Sequence, residues 1–258
     1  MIYNFSNLCA YHTSHIINQT VTQFFAKSLE IPFDDIVNFK VELNKTFCSY
    51  GILRGNEEAI KKSENFIYID HGFLSSSSRN FENITKINNL SGYFRVIHND
   101  LYFNNSYQNL SHDRFNKLKI DTKDLNLKGE IIVLSEPSDF VLNYFDMKDW
   151  TATTIKLIQQ YTDRKIIVHN KKSETPLKLL LSKAFAFVSF QSTAGFQAIM
   201  EGVPAYFTHN ALSNYGDVKN IENQILNHDI LYLAANSQWK LSEFFLDDFK
   251  DYIKSLIT

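Results

Sequence analysis

Phe185 to Phe207 reads FAFVSFQSTAGFQAIMEGVPAYF, and the order of its residue types decides the fold. Ala186 to Phe190 is apolar and β-prone apart from Ser189, the composition of a strand buried on both faces of a parallel sheet. The small or polar residues Gln191, Ser192, Thr193, Ala194 and Gly195 then turn the chain. Phe196, Ile199 and Met200 follow at helical spacing, so a helix is expected to run to Glu201 and stop at Gly202, with a second strand from Val203 to Phe207. This order presents backbone N–H groups and the Ser192 and Thr193 hydroxyls at a helix N-terminus, where unpaired donors and the helix dipole favour an anion. Every βαβ unit has such a turn, so the turn alone does not separate a ligand site from a plain connection.

Glu201 adds the distinguishing feature. At the end of its helix it gains nothing from the dipole, and its carboxylate suits the hydroxyls of a sugar or ribose. The spacing of Ser192, Gly195, Glu201, Gly202 and Pro204 resembles a segment of the donor-binding lobe of GT-B glycosyltransferases, and related nucleotide-sugar epimerases carry a similar arrangement. The resemblance implies a GT-B-like α/β fold: two Rossmann-like lobes, parallel sheets flanked by helices, and a C-terminal helix.

With 258 residues, 44% of them hydrophobic and 21% charged, the chain can bury a substantial core and is not a disordered polypeptide. A net charge of −2 supplies no broad basic field, which counts against affinity built on many phosphate contacts. Cys9 and Cys48 are too few for a disulfide framework or a structural zinc site. No run reaches the ~20 apolar residues of a membrane span, and without an apolar leader a cytoplasmic location is expected.

From the N-terminus, Ile2 to Leu8 reads as a strand, Ala10 to His15 as a polar turn, and the following run to about Leu29 as a helix. Thr46 to Leu53 and Phe66 to Ile69 are further strands. The latter delivers Asp70 and His71 together at its end, followed by Gly72-Phe73-Leu74 and a serine tract that leads to Arg79. Another short strand near Phe94 carries Arg95 and Asn99.

Asp70-His71-Gly72-Phe73-Leu74-Ser75 resembles the Asp-Gly-Phe-Leu-Arg-Ser segment of capsule-type Kdo transferases, with His71 inserted and Ser75 at the place of the arginine. The longer run from Tyr68 to Phe73, with Tyr93-Phe94-Arg95-Val96 and Asn99, is similar to small phage-encoded glycosyltransferase-like proteins. These resemblances imply two kinds of acceptor, a surface saccharide or a hydroxymethylated base in phage-type DNA.

Residues 100 to 128 read as a polar connector. Beyond it the strand Ile131 to Leu134 ends in Ser135-Glu136, and the strand Ile166 to Val168, preceded by Arg164, ends in His169-Asn170-Lys171. A right-handed parallel sheet would gather these ends and Ser192-Thr193 at one edge. Trp239 to Ile257 carries an apolar helical face. The expected organisation is an acceptor-side lobe over residues 1–110, a nucleotide-sugar lobe over 111–240 and a C-terminal helix over 241–258.

Phosphate-loop, dinucleotide, zinc-protease and serine-hydrolase signatures are absent from the sequence, as is the Asp-x-Asp pair of metal-dependent transferases. The reading is a metal-independent glycosyltransferase with no cofactor and a UDP-linked co-substrate. Ser135, Glu136, Arg164, His169, Lys171, Ser192, Thr193, Ala194 and Glu201 would bind the donor, Asp70 or His71 would serve as general base, and Arg79, Arg95 and Asn99 would lie on the acceptor or phosphate side. A non-hydrolysing UDP-sugar epimerase and a non-catalytic saccharide- or nucleotide-binding module are the alternatives. The residues carry no signal for oligomeric state.

Overall fold

The computed structural model of the chain describes residues 3–75, 91–103 and 109–257. They form two compact units, one of Met1–Ser111 with Leu233–Thr258 and one of His112–Tyr232.

In the first unit the chain runs through β1 (Leu8–His12), α1 (Ile16–Leu29), β2 (Phe33–Asp35), β3 (Thr46–Tyr50), α2 (Asn56–Lys62), β4 (Asn65–His71) and β5 (Phe94–His98). The first strand lies later than the Ile2-to-Leu8 reading, because Leu8 to Ala10 is what pairs with β3 and Ala10 to His12 with β2. β1 to β4 are mutually parallel, whereas β5 runs antiparallel to β4.

The two-residue side-chain period sorts the strands into two faces. Leu8, Ala10, Cys48, Tyr50, Ile67, Ile69, Phe94 and Val96 form one core with α1, and Tyr11, Phe47 and Tyr68 pack on the other face with Ala59 and Ile60 of α2. Cys9 joins the second face and Cys48 the first, so the two thiols lie on opposite sides of the sheet.

The second unit contains α3 (Asp113–Leu118), β6 (Ile131–Ser135), α4 (Asp139–Tyr144), α5 (Trp150–Ile158), β7 (Ile166–His169), α6 (Leu177–Leu181), β8 (Ala184–Ser189), α7 (Ala194–Met200), β9 (Ala205–Phe207) and α8 (Asn210–Ser213). Its sheet has the order β7-β6-β8-β9 and every pair is parallel. One face packs Ile132, Leu134, Ala186 and Val188 against Trp150 and Ile158 of α5.

The β8–α7–β9 unit follows from local signals. Gly195 begins the helix where any Cβ would lie 2.6 Å from the Phe207 ring. Gly202, at φ 81°, closes the helix: its N–H donates to the Ile199 carbonyl and the Val203 N–H to that of Ala198, the paired bonds of a left-handed C-cap. The connector before β6 runs along this end. The Lys123 N–H donates to the Met200 carbonyl, the Asn126 N–H to that of Gly202, and the Asn126 Nδ2 to that of Ala184.

After α9 (Asp229–Asn236) the chain adds β10 (Gln238–Trp239), antiparallel to β5 at the edge of the first sheet, and ends in α10 (Asp247–Ile257). Phe249, Tyr252, Ile253 and Leu256 of α10 are buried in the first unit's main core. Burial of this kind contributes roughly 1.5–3 kcal/mol per large apolar side chain.

Candidate functional site

Parallel pairing places the ends of β6, β7 and β8 in one row in the second unit. Ser135 is opposite both His169 and Ser189 in the strand register. Ligands of open parallel sheets bind at such carboxyl ends.

Glu136 extends the row by one residue, its N–H donating to the His169 carbonyl at 2.9 Å. One carboxylate oxygen accepts from the Thr151 hydroxyl at 2.8 Å and the other from Asn170 Nδ2 at 2.9 Å. Asn170 is itself fixed by its turn: its N–H donates to the Ser173 hydroxyl and its Oδ1 accepts from the Lys172 N–H, both at 2.9 Å. His169 bonds through Nε2 to the Thr175 carbonyl, and Lys171 is exposed in the same turn. At the end of β8, the Ser192 hydroxyl accepts from the Ala194 N–H at 3.2 Å, Thr193 is exposed, and the Gln191 side-chain oxygen is buried with no hydrogen-bond partner among the described residues. Ser135, Glu136, His169, Lys171, Ser192, Thr193 and Ala194 are thus brought to one edge.

Two expected donor residues are not. Glu201 caps the far end of α7, level with the start of β8, and is ion-paired with Lys123 of the connector. Arg164 precedes β7, bonds Glu222 through Nε at 3.0 Å, and stacks 3.4 Å above the Phe185 ring. The strand register slips between Ile131/Ile132 and leaves Phe185 as the extra residue of β8, which turns it toward Arg164.

In the first unit, Asp70 and Arg95 are register partners at the end of β4. Arg95 Nη2 donates to Asp70 Oδ2 at 2.9 Å, the Tyr68 hydroxyl to the same oxygen at 2.8 Å, and the His71 N–H to Oδ1 at 2.7 Å. Burial alone would raise the Asp70 pKa, but Arg95, His71 and these donors hold it below the ordinary carboxylate range. The guanidinium lies 5.1–5.7 Å from the rings of Tyr102, Phe73 and Tyr68, and Arg95 retains only 8% exposure. It serves Asp70 and is not offered to a phosphate. Gly72 is obligatory here, since a Cβ would meet the Tyr93 carbonyl oxygen at 2.8 Å.

His71, one residue on, belongs to the opposite face of the sheet, where its Nε2 is 3.0 Å from the Tyr50 hydroxyl and its ring stacks on Phe94. Asp70 and His71 are therefore not a hydrogen-bonded side-chain pair. Asn99 sits at the other end of β4, where its N–H donates to the Phe66 carbonyl and its Oδ1 accepts from the Phe66 N–H, so it closes the β4–β5 pair away from Asp70. Arg79 lies outside the described residues.

Tyr50, Tyr68, Tyr102, Thr151 and Asn170 complete these clusters, and the sequence assigned none of them a site role. Only Tyr68, two residues before Asp70 and so on the same strand face, carried a usable signal. Among the described residues no group of three or more His, Cys, Asp or Glu could share a metal ion, and no helix is long and apolar enough to cross a membrane.

The architecture has solved counterparts. Thermosulfurimonas dismutans KpsC, beta Kdo 2,4 transferase, superposes with a TM-score of 0.54 at 12% identity over 99% of this chain and 99% of its own. Thermosulfurimonas dismutans KpsC, beta Kdo 2,7 transferase, gives a TM-score of 0.49 at 12% identity over 98% of this chain and 99% of its own. No family model matches the chain. No curated protein matches it in sequence. Likeness at this identity establishes the fold alone, α/β with parallel sheets flanked by helices in two Rossmann-like lobes of GT-B type.

Proposed function

We propose that the chain is a glycosyltransferase that takes a nucleotide sugar on the second unit and a saccharide hydroxyl on the first. The observation that carries this reading is the parallel register that puts Ser135, His169 and Ser189 in one row, with Glu136, Lys171 and Ser192-Thr193 just beyond it. A polar strand-end row of this kind suits a nucleotide, and Lys171 with the turn donors suits its phosphates. A saccharide acceptor is favoured over DNA by the net charge of −2 and by the fold shared with a transferase named for Kdo.

In the transfer the acceptor oxygen attacks the anomeric carbon, the bond from that carbon to the phosphate oxygen breaks, and the nucleotide leaves with the electron pair. The acceptor's proton passes to a base. Asp70 is the proposed base for an inverting displacement, because its carboxylate lies at the end of β4. His71, oriented by Tyr50, is the competing base. No metal or cofactor enters this scheme, and the donor is taken to be UDP-linked.

Asp70→Asn is expected to abolish transfer, assayed by nucleotide release from a panel of nucleotide sugars with glycan acceptors, while nucleotide affinity stays unchanged. Equal loss of both would make Asp70 a structural residue. The pH profile separates the two bases. With Asp70 as base, its carboxyl held below the ordinary carboxylate range, kcat/KM holds as the pH falls to about 5, and a fall in activity between neutrality and that pH would favour a base other than Asp70.

A further inference from the structure

We infer that Gln238 is a positioning residue for the transfer: its side-chain amide pins the segment that follows Asp70 and so fixes the surroundings of that carboxylate. The inference rests on the proposed function, in which Asp70 takes the acceptor's proton.

Gln238 is fully buried in β10, and its side chain reaches back 164 positions to the loop that leaves β4. The Leu74 N–H donates to Gln238 Oε1 at 2.9 Å, and Gln238 Nε2 donates to the Leu74 carbonyl at 2.8 Å. Leu74 is itself buried, so both of its backbone groups need partners inside the protein. A primary amide offers the same donor and acceptor as a peptide group, and the Gln238 side chain stands in for the strand this loop lacks.

Strand register makes this clamp bear on Asp70. Arg95 of β5 is opposite Asp70 of β4 on one side and Gln238 of β10 on the other, so the three side chains leave the same face of the sheet. The loop folds back over that face. Its Gly72 N–H donates to the Tyr93 carbonyl at 2.8 Å, its Phe73 ring centre lies 5.4 Å from the Arg95 guanidinium carbon, and its Leu74 is held by Gln238. A Cβ on Gly72 would stand 2.9 Å from Gln238 Oε1, which shows how closely the loop is seated on the amide. Arg95 in turn donates to Asp70 Oδ2 and, through Nη1 at 3.3 Å, to the His71 carbonyl. Releasing Leu74 removes what keeps Phe73 against Arg95, and with it the restraint on the guanidinium that orients Asp70. Every member of this chain of contacts belongs to the first unit, so nucleotide affinity on the second should not depend on it.

The test compares the full chain as wild type, Gln238→Met and Gln238→Glu. It measures kcat and KM for transfer from a panel of nucleotide sugars to glycan acceptors, nucleotide Kd by calorimetry, and the Tm at each pH used. Methionine keeps the shape of glutamine without its polar atoms. Gln238→Met, assayed while folded, is expected to lower kcat about 10-fold or more, the scale of a misplaced catalytic group, and to leave nucleotide Kd unchanged. A glutamic acid can make both bonds to Leu74 when protonated, the form that burial favours, and loses the donor when ionised. Gln238→Glu should therefore match the wild-type kcat near pH 5 and fall away from it as the pH rises to about 8. Should Gln238→Met not fold, the Gln238→Glu profile decides alone. If the clamp served only the stability of the fold, the variants would lower the Tm yet keep the wild-type kcat at every pH while folded, overturning the inference and sparing the proposed function. Equal loss of kcat and nucleotide affinity in a folded variant would overturn it as well. No transfer by the wild type from any donor in the panel would overturn both.

Discussion

Arg95 shows how a single side chain can be read correctly as special and wrongly as available. Its charge is spent on Asp70, its plane is surrounded by Tyr68, Phe73 and Tyr102, and its Nε is buried with no partner among the described residues. Arg95→Ala leaves a carboxylate uncompensated in a mostly buried site and is expected to cost about 3–5 kcal/mol in chemical denaturation. The same substitution should move acid unfolding. Asp70 has a folded pKa below its unfolded one, so the stability it contributes is present above about 3.9 and is lost as the pH falls through the folded value. Without Arg95 that loss begins at higher pH; an unchanged acid midpoint would contradict the pairing. Glu201 and Arg164 were misread for a related reason. Their partners, Lys123 and Glu222, are 78 and 58 residues away, and no local pattern announces a pairing at that distance.

Elements were legible where their signals are local. The turn after β8, the stop at Gly202 and the restart at Val203 are short-range effects of small residues and fixed φ, and the structure places β8, α7 and β9 in that order, with β9 starting two residues later, after Pro204. β2 and β10, with 3 and 2 residues, are strands only because a neighbouring strand pairs with them, so no periodicity could have marked them. The segment read as a plain connector holds α3 and a stretch bonded to the end of α7 for the same reason. Gly195 supplies the prediction at this scale. Gly195→Ala sets a methyl 2.6 Å from two Phe207 ring carbons, so α7 must shift from β9, at an expected cost of about 1–3 kcal/mol in thermal or chemical unfolding. Full retention of stability would show that the Phe207 ring gives way freely.

At the scale of the whole molecule, the chain builds two α/β units and returns to the first with its last helix. The apolar face of that helix was visible in the sequence, but the core it enters was not: the Tyr252 hydroxyl donates to the Val96 carbonyl across 156 residues of chain. What the molecule does turns on whether the strand ends of the second unit receive a nucleotide. Hydrogen–deuterium exchange of the full chain, with and without saturating nucleotide sugars from a panel of UDP-, CMP- and GDP-linked donors, asks this most directly. The expected result is ligand-dependent protection in peptides covering Ser135-Glu136, His169 to Ser173 and Phe190 to Ala194, with none around Lys123 and Glu201. Protection confined to the Lys123–Glu201 end, or no response to any donor, would contradict it.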